Sequence, residues 1–235
     1  IKNVNYEAKN VDNLKEDTNY EIYGAFGYFS ELELYKEFNQ SIKHSFTPKT
    51  LIRYAPGQMR KETGGSRLNP DSIFTLNRLN NINNFESGLS ATLGFDYNIK
   101  SKGSELNISA GQIIQEKENK NMPSSSSLDD KLSDFVGKVN YNMNDNFKIN
   151  YDFNLDQNFK DLNYNEINTQ INFNPIKFDF SYLEEKKHIG NQEYFKTKIN
   201  VAQNEKGNFA FETKRNLITN SAEYYNLSYE YLNDC

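Results

Sequence analysis

The sequence predicts an all-β fold: an antiparallel transmembrane β-barrel, represented here by about eleven strands of a larger barrel. Three observations carry that expectation. Apolar and polar residues alternate with a period of two in segment after segment. The connections between those segments alternate between short and long. Finally, 16 Tyr and 17 Phe occur in a chain that is only 36% hydrophobic. So little apolar content would ordinarily leave a chain unable to offset its ordering entropy. Strands with one apolar and one polar face produce both properties together.

Candidate strands fall at 20–35, 42–54, 88–99, 105–116, 134–143, 147–157, 166–173, 176–184, 194–203, 208–215 and 223–232. The first is the longest, and its bounds are the loosest. In the third, Leu89, Ala91, Leu93, Phe95, Tyr97 and Ile99 interleave with Ser90, Thr92, Gly94, Asp96 and Asn98. In the sixth, Phe147, Ile149, Tyr151, Phe153 and Leu155 interleave with Lys148, Asn150, Asp152 and Asn154. The last alternates Tyr225, Leu227, Tyr229 and Tyr231 with Asn226, Ser228 and Glu230. Residues i and i+2 of a strand share a face, whereas helical spacing would scatter these side chains around a cylinder. Most candidates approach the 9–11 residues that cross a bilayer at a tilt.

Short turns are expected at 36–41, 100–104, 144–146, 174–175 and 204–207, where Asn, Asp, Gly and Pro tolerate tight dihedrals. Long connections are expected at 55–87, 117–133, 158–165, 185–193 and 216–222. A membrane barrel gives this sorting, with short periplasmic turns and longer extracellular loops. Loop lengths alone then bring the last strand down to the periplasmic end, at Cys235. The apolar faces are expected to meet lipid. The polar faces, including Asn150, Asp152, Asn154, Asn172 and Asn200, are expected to line the lumen, because water satisfies such groups and lipid does not. Tyr97, Tyr141, Tyr182, Tyr194 and Tyr225 near strand ends suit an interfacial girdle. A soluble β-sandwich shares the alternation and would use the same tyrosines in its core, but its loops need not sort by length.

Other features narrow the function. The 27 basic and 32 acidic residues are mixed along the chain, with a net charge of −5 and no basic block to hold a nucleic-acid backbone. Residues 1–235 are read as part of one barrel domain and as an internal piece of a longer protein, with strand ends that do not look self-closing. The single cysteine, Cys235, cannot form an internal disulfide. His44 and His188 lie in no ligand-spaced cluster, so no metal or other cofactor is expected. His188 follows Glu184, Glu185, Lys186 and Lys187 in a segment that reads as a solvated loop. No set of nucleophile, base and orienting group can be assembled from the sequence, which points away from an enzyme. The adjacent pairs Asp129-Asp130 and Glu184-Glu185 could help bind a divalent cation, which favours carboxylate oxygens, but loop solvation is the stronger reading, and Ser124 to Ser127 read as a flexible low-complexity tip. The glycosylation-like triplets at Asn107 and Asn226 fall within strands and are chance matches.

Particular residues carry a family resemblance. The run Arg67-Leu-Asn-Pro-Asp-Ser-Ile-Phe-Thr-Leu-Asn-Arg-Leu79, then Asn84-Phe-Glu-Ser-Gly-Leu-Ser-Ala-Thr-Leu-Gly94, then Ile108-Ser-Ala-Gly-Gln-Ile113, resembles the lipopolysaccharide-assembly family LptD. In order and loop context, the likeness extends over roughly residues 42–235. It implies a very large outer-membrane barrel of a Gram-negative bacterium that inserts lipopolysaccharide into the outer leaflet. It also implies a plug lipoprotein, LptE, in the lumen. A periplasmic N-terminal domain would join the lipopolysaccharide-transport bridge, and both that domain and the closing strands would lie outside these residues. Cys235 would then correspond to a cysteine bonded to the periplasmic domain. The competing reading is another large outer-membrane barrel, a porin or a substrate-specific transporter. An outer-membrane hydrolase using His188 is a distant one.

Overall fold

The computed structural model describes residues 1–9, 16–38, 41–64, 67–79, 81, 84–202 and 207–231. Its strands are β1 (Lys2–Ala8), β2 (Asp17–Tyr23), β3 (Phe26–Glu31), β4 (Leu34–Phe38), β5 (Ile42–Ala55), β6 (Gly88–Ser101), β7 (Ser104–Gln115), β8 (Phe135–Met143), β9 (Phe147–Leu155), β10 (Leu162–Phe173), β11 (Ile176–Glu185), β12 (Gln192–Ala202), β13 (Gly207–Asn216) and β14 (Ser221–Tyr231). Among the described residues one 3-10 turn is found, Ser72–Phe74. Strands β3 to β14 form one antiparallel sheet in which each strand from β5 onward pairs with the next along the chain. Among the described residues the sheet is not closed: β14 pairs with β13 alone, and β3 and β4 pair with β5 alone.

The first expected strand, 20–35, resolves into three pieces. β2 leaves the main sheet and forms a hairpin with β1, a strand that alternation did not reveal. β3 and β4 share the same edge of β5, so the twelve strands occupy eleven ranks. The break between them has a local cause. Glu31 pairs with Lys49 and Leu34 with Phe46, which leaves Pro48 opposite the gap. The Pro48 carbonyl accepts the Leu32 N–H at 3.3 Å, so this side of Pro48 faces the gap and has no N–H to offer. β4 also takes up Lys36 to Phe38, residues expected in a turn.

From β5 onward the sorting of connections holds. The short ends include Lys102–Gly103, 144–146 and 174–175, with positive φ at Gly103 and Asn144. The 204–207 turn lies largely outside the described residues. The long connections 56–87, 116–134, 156–161, 186–191 and 217–220 all emerge at the opposite end.

Cross-strand register keeps the two faces distinct from β5 to β12, beyond which the apolar row that ends at Phe195 meets Arg215 of β13. One row reads Phe46, Tyr97, Ile108, Val139, Tyr151, Ile167, Tyr182 and Phe195. The neighbouring row, on the other face, reads Ser45, Asn98, Asn107, Asn140, Asn150, Asn168, Ser181, Lys196 and Lys214. On β11 the apolar band runs from Ile176 to Tyr182, about 20 Å of strand at roughly 3.3 Å per residue. Just above it, towards the long-loop end, the same face turns polar with Asn165, Glu184 and Glu193. That height is close to the apolar band of roughly 25 Å on outer-membrane barrels.

Candidate functional site

The polar face is the candidate site, and its long-loop end is covered. Two long connections fold back onto it instead of standing out in solvent. Residues 56–87 contribute Met59, Leu68, Ile73 and Leu79 to a buried cluster, and residues 116–134 contribute Met122 and Leu128. The sheet supplies Ile113 of β7 and Val136 of β8. Leu68, Ile73 and Leu128 are fully buried, each worth about 1.5–3 kcal/mol of apolar transfer.

Polar side chains of the strands hold the backbone of the first segment in place. Arg53 Nε donates to the Leu76 carbonyl at 2.8 Å, and Arg53 Nη2 donates to the Glu86 carbonyl at 2.5 Å. Thr92 Oγ1 donates to the Ile73 carbonyl at 3.2 Å and Asn154 Nδ2 to the Leu68 carbonyl at 3.0 Å. Asn69 starts the 3-10 turn locally, its Oδ1 accepting the N–H groups of Asp71 and Ser72. Arg78 and Glu86 close the segment with a two-pronged ion pair, both contacts 2.7 Å, and Arg78 Nη2 also reaches Ser90 Oγ at 3.0 Å. The second segment is tied down by Gln115, whose Nε2 donates to the Leu128 carbonyl at 2.8 Å. The β1–β2 hairpin rests on the first segment. Arg60 pairs with Glu21, Tyr23 stacks on Phe85, and Lys2 Nζ donates to the carbonyls of Asn81 and Asn84.

Register puts all five candidate residues on the polar face: Asn150 and Asp152 on β9, Asn154 above them, and Asn172 and Asn200 joined through Lys177. They do not form one site. Asn150 is exposed, whereas Asn154 is 2% exposed beneath Leu68. Cys235 lies outside the described residues. Of the five tyrosines expected in a girdle, Tyr97, Tyr141, Tyr182 and Tyr225 lie on the apolar face. Tyr194 does not. It pairs with Leu183 and Asn216 on the polar face, where Lys214 Nζ sits 4.2 Å from its ring centre.

The largest departure from expectation is at His188, which is a buried node and not a solvated residue. Its Nε2 lies 2.9 Å from Asp134 Oδ2 and 2.9 Å from Ser127 Oγ, and its Nδ1 lies 3.1 Å from Glu185 Oε1. Ser127, read as part of a flexible tip, is 2% exposed. Ser127, His188 and Glu185 thus line up in the order of nucleophile, base and orienting group, an arrangement the sequence did not suggest. Asp134 changes its chemistry. Ser127 Oγ donates to Asp134 at 2.7 Å, and the second carboxylate favours the imidazolium, which has no lone pair with which to take a proton from serine.

Burial pushes the imidazole pKa down, but hydrogen bonds to Asp134 and Glu185, and then their charges, outweigh it and hold it above the ordinary value. At Asp134 burial pushes the carboxyl up, while hydrogen bonds from His188 and Ser127 and the charge of Lys187 hold it below the usual range. Beside this node a recess of about 170 Å³ is lined by Asp129, Asp130, Asp156, Asp161 and Lys187 among others. Burial and the neighbouring Asp130 raise the Asp129 carboxyl. Among the described residues no group of three or more His, Cys, Asp or Glu side chains is arranged to hold a metal ion.

Comparison with known proteins agrees with the all-β fold. No curated protein sequence matches the chain. The family model described as LptD, LPS transport system D, matches residues 3–233, nearly the whole of it, and the chain belongs to that family.

Proposed function

We propose that this chain is part of an outer-membrane barrel that delivers lipopolysaccharide to the outer leaflet of a Gram-negative bacterium, without catalysing a reaction. The observation that carries the reading is the eleven-rank sheet with one continuous apolar face, in a chain of the LptD family. An apolar outer surface with a polar interior is the arrangement a lipid bilayer requires of a barrel. Further strands would complete the closure, since one edge of β14 and one edge of the β3–β4 rank are unpaired among the described residues. The lumen would then be lined by Asn150, Asp152, Asn172 and Asn200, and the plug lipoprotein LptE would sit against this surface. A periplasmic domain of the same protein would receive lipopolysaccharide from the transport bridge.

Two measurements test this. Depleting the full-length protein should leave newly made lipopolysaccharide inside the cell, scored by its inaccessibility to a surface-added modifying enzyme. Photo-crosslinkers at Asn150, Asn172 or Asn200 should capture LptE more often than ones at Phe153 or Phe180, which lie on the other face. Undiminished surface lipopolysaccharide after depletion would overturn the transport reading. Equal capture from both faces would overturn the luminal assignment.

A further inference from the structure

We propose that His188 is a protonation-operated pin that fastens the two folded-in segments over the polar face and releases them when it loses its proton. This rests on the geometry of the fold alone and not on the lipid reading. The imidazole has no exposed side-chain surface, and its two carboxylate partners are 3% and 2% exposed.

Three separate parts of the chain meet at this point. Asp134 and Ser127 come from the second folded-in segment and its junction with β8. Glu185 ends β11, and His188 follows it in the β11–β12 connection. Arg67, from the first segment, approaches Glu185 at 3.3 Å and lies over the ring of Tyr164, with its guanidinium carbon 3.7 Å from the ring centre. Lys187 Nζ stands 3.6 Å from Asp134 Oδ1, and Asn163 Nδ2 donates to Asp134 Oδ2 at 3.1 Å. Asp129, Asp130, Asp156 and Asp161 surround the adjoining recess.

The ring's two nitrogens decide the switch. An imidazolium donates from both, so Asp134 and Glu185 are each satisfied. A neutral imidazole carries one N–H, so one buried carboxylate must face a lone pair. Ser127 does not repair the loss. If its hydroxyl turns to donate to Nε2, Asp134 loses that donor instead. Asn163 and Lys187 remain on Asp134, and Arg67 and the backbone N–H groups of Lys187 and His188 remain on Glu185, but none of them turns the facing ring nitrogen back into a donor. A lone pair held 2.9 or 3.1 Å from a buried carboxylate oxygen repels it and forfeits a charge-assisted hydrogen bond, and the cheapest relief is to let water in by lifting the segment that carries Asp134 and Ser127.

The direction follows from linkage. His188 is raised in the closed form, so its contribution is fully present below the ordinary imidazole pKa of about 6.5 and is lost as pH rises through the raised value. Asp134 is lowered, so its contribution is present above the ordinary carboxylate range and is lost as pH falls through the lowered value. The cap is therefore fastened in a mildly acidic to neutral window and loosens on the alkaline side.

The test is hydrogen exchange on the full-length protein in lipid nanodiscs, with rates corrected for the intrinsic effect of pH on amide exchange. Amides of 116–134 should lose protection as pH rises, by about tenfold for each unit that separates the closed from the open imidazole pKa. Strand amides of β8 and β9 should keep theirs. His188→Gln should show low protection in 116–134 at every pH. The proposal fails if wild-type protection there is independent of pH, if the Gln variant matches the wild type, or if the strands lose protection at the same pH. Should the variant not reach a heat-modifiable folded barrel, the wild-type titration decides alone.

Discussion

Gly94 of β6 and Gly111 of β7 face each other across the polar side of the sheet, and Ile73 and Phe74 occupy the room that side chains there would need. A Cβ on Gly111 would meet Ile73 Cδ1 at 2.5 Å and the Leu93 carbonyl at 2.8 Å. A Cβ on Gly94 would press on the Ala110 carbonyl and the Phe74 ring. Both glycines belong to the motifs that carried the family resemblance. Their physical role here is to seat the 3-10 turn of the first folded-in segment against the strands.

Gly111→Val should therefore unseat Ile73 at a cost of about 1–3 kcal/mol, the usual range for overpacking. Urea unfolding of the full-length protein in detergent would read the loss as a lower midpoint. Hydrogen exchange should place the extra opening at 67–79. An unchanged midpoint would mean that the turn moves aside freely and that the glycine is not a seat.

The two faces make different demands. Tyr151 lies within the apolar band, and Asn150, one residue away, lies on the polar face. Arg in place of Tyr151 should cost up to about 2–4 kcal/mol if it falls near the bilayer midplane, and Arg in place of Asn150 much less. Equal losses in folding free energy, measured by unfolding from liposomes, would remove the lipid-facing assignment.

The buried charges under the cap are uneven, and that gives a third test. Arg53 and Arg78 both lie against Glu86, and one terminal nitrogen of each is buried without a hydrogen-bond partner. Arg78→Met leaves one guanidinium for one carboxylate. Glu86→Met leaves two buried guanidiniums and no carboxylate beside them. The Glu86 change should cost about 3–5 kcal/mol and the Arg78 change clearly less. The reverse order in unfolding midpoints would show that Glu86, not the arginines, is the strained group.

Much of this was legible in the sequence. Alternation located every strand from β5 onward within a few residues, because a sheet in which each strand pairs with its chain neighbour needs only local pattern to be read. Connection lengths sorted its two ends for the same reason. The break between β3 and β4 was not legible, since it depends on Pro48 of a different strand lacking a donor, nor was the pairing of β2 with β1 instead of the main sheet. The folded-in segments did leave a trace. Ile113 and Val136 break the alternation of β7 and β8 where they meet the cap, and 56–87 holds Met59, Leu68, Ile73, Phe74 and Leu79, more apolar bulk than a solvated loop needs. His188 left none. Its partners Ser127 and Asp134 lie 61 and 54 residues away, and only the packing of three long connections brings them together.

β14 begins at Ser221, just after the long-end connection 217–220, and runs to Tyr231 at the end where the short turns lie. Cys235 is four residues further on, outside the described residues. If the short turns lie on the periplasmic side, that end would face an oxidising compartment where disulfides form and persist. The chain holds no second cysteine, so any disulfide partner lies outside these residues. Protein from oxidising cells should change gel mobility on reduction, and Cys235→Ser should abolish the change. A membrane-impermeant thiol reagent added to intact cells should leave Cys235 unmodified, both before reduction and after reduction with a permeant reductant. Labelling from outside would reverse the assignment of the two ends of the sheet. The disulfide expectation would fail with it, as would the orientation in which the capped end of the polar face meets the outside of the cell.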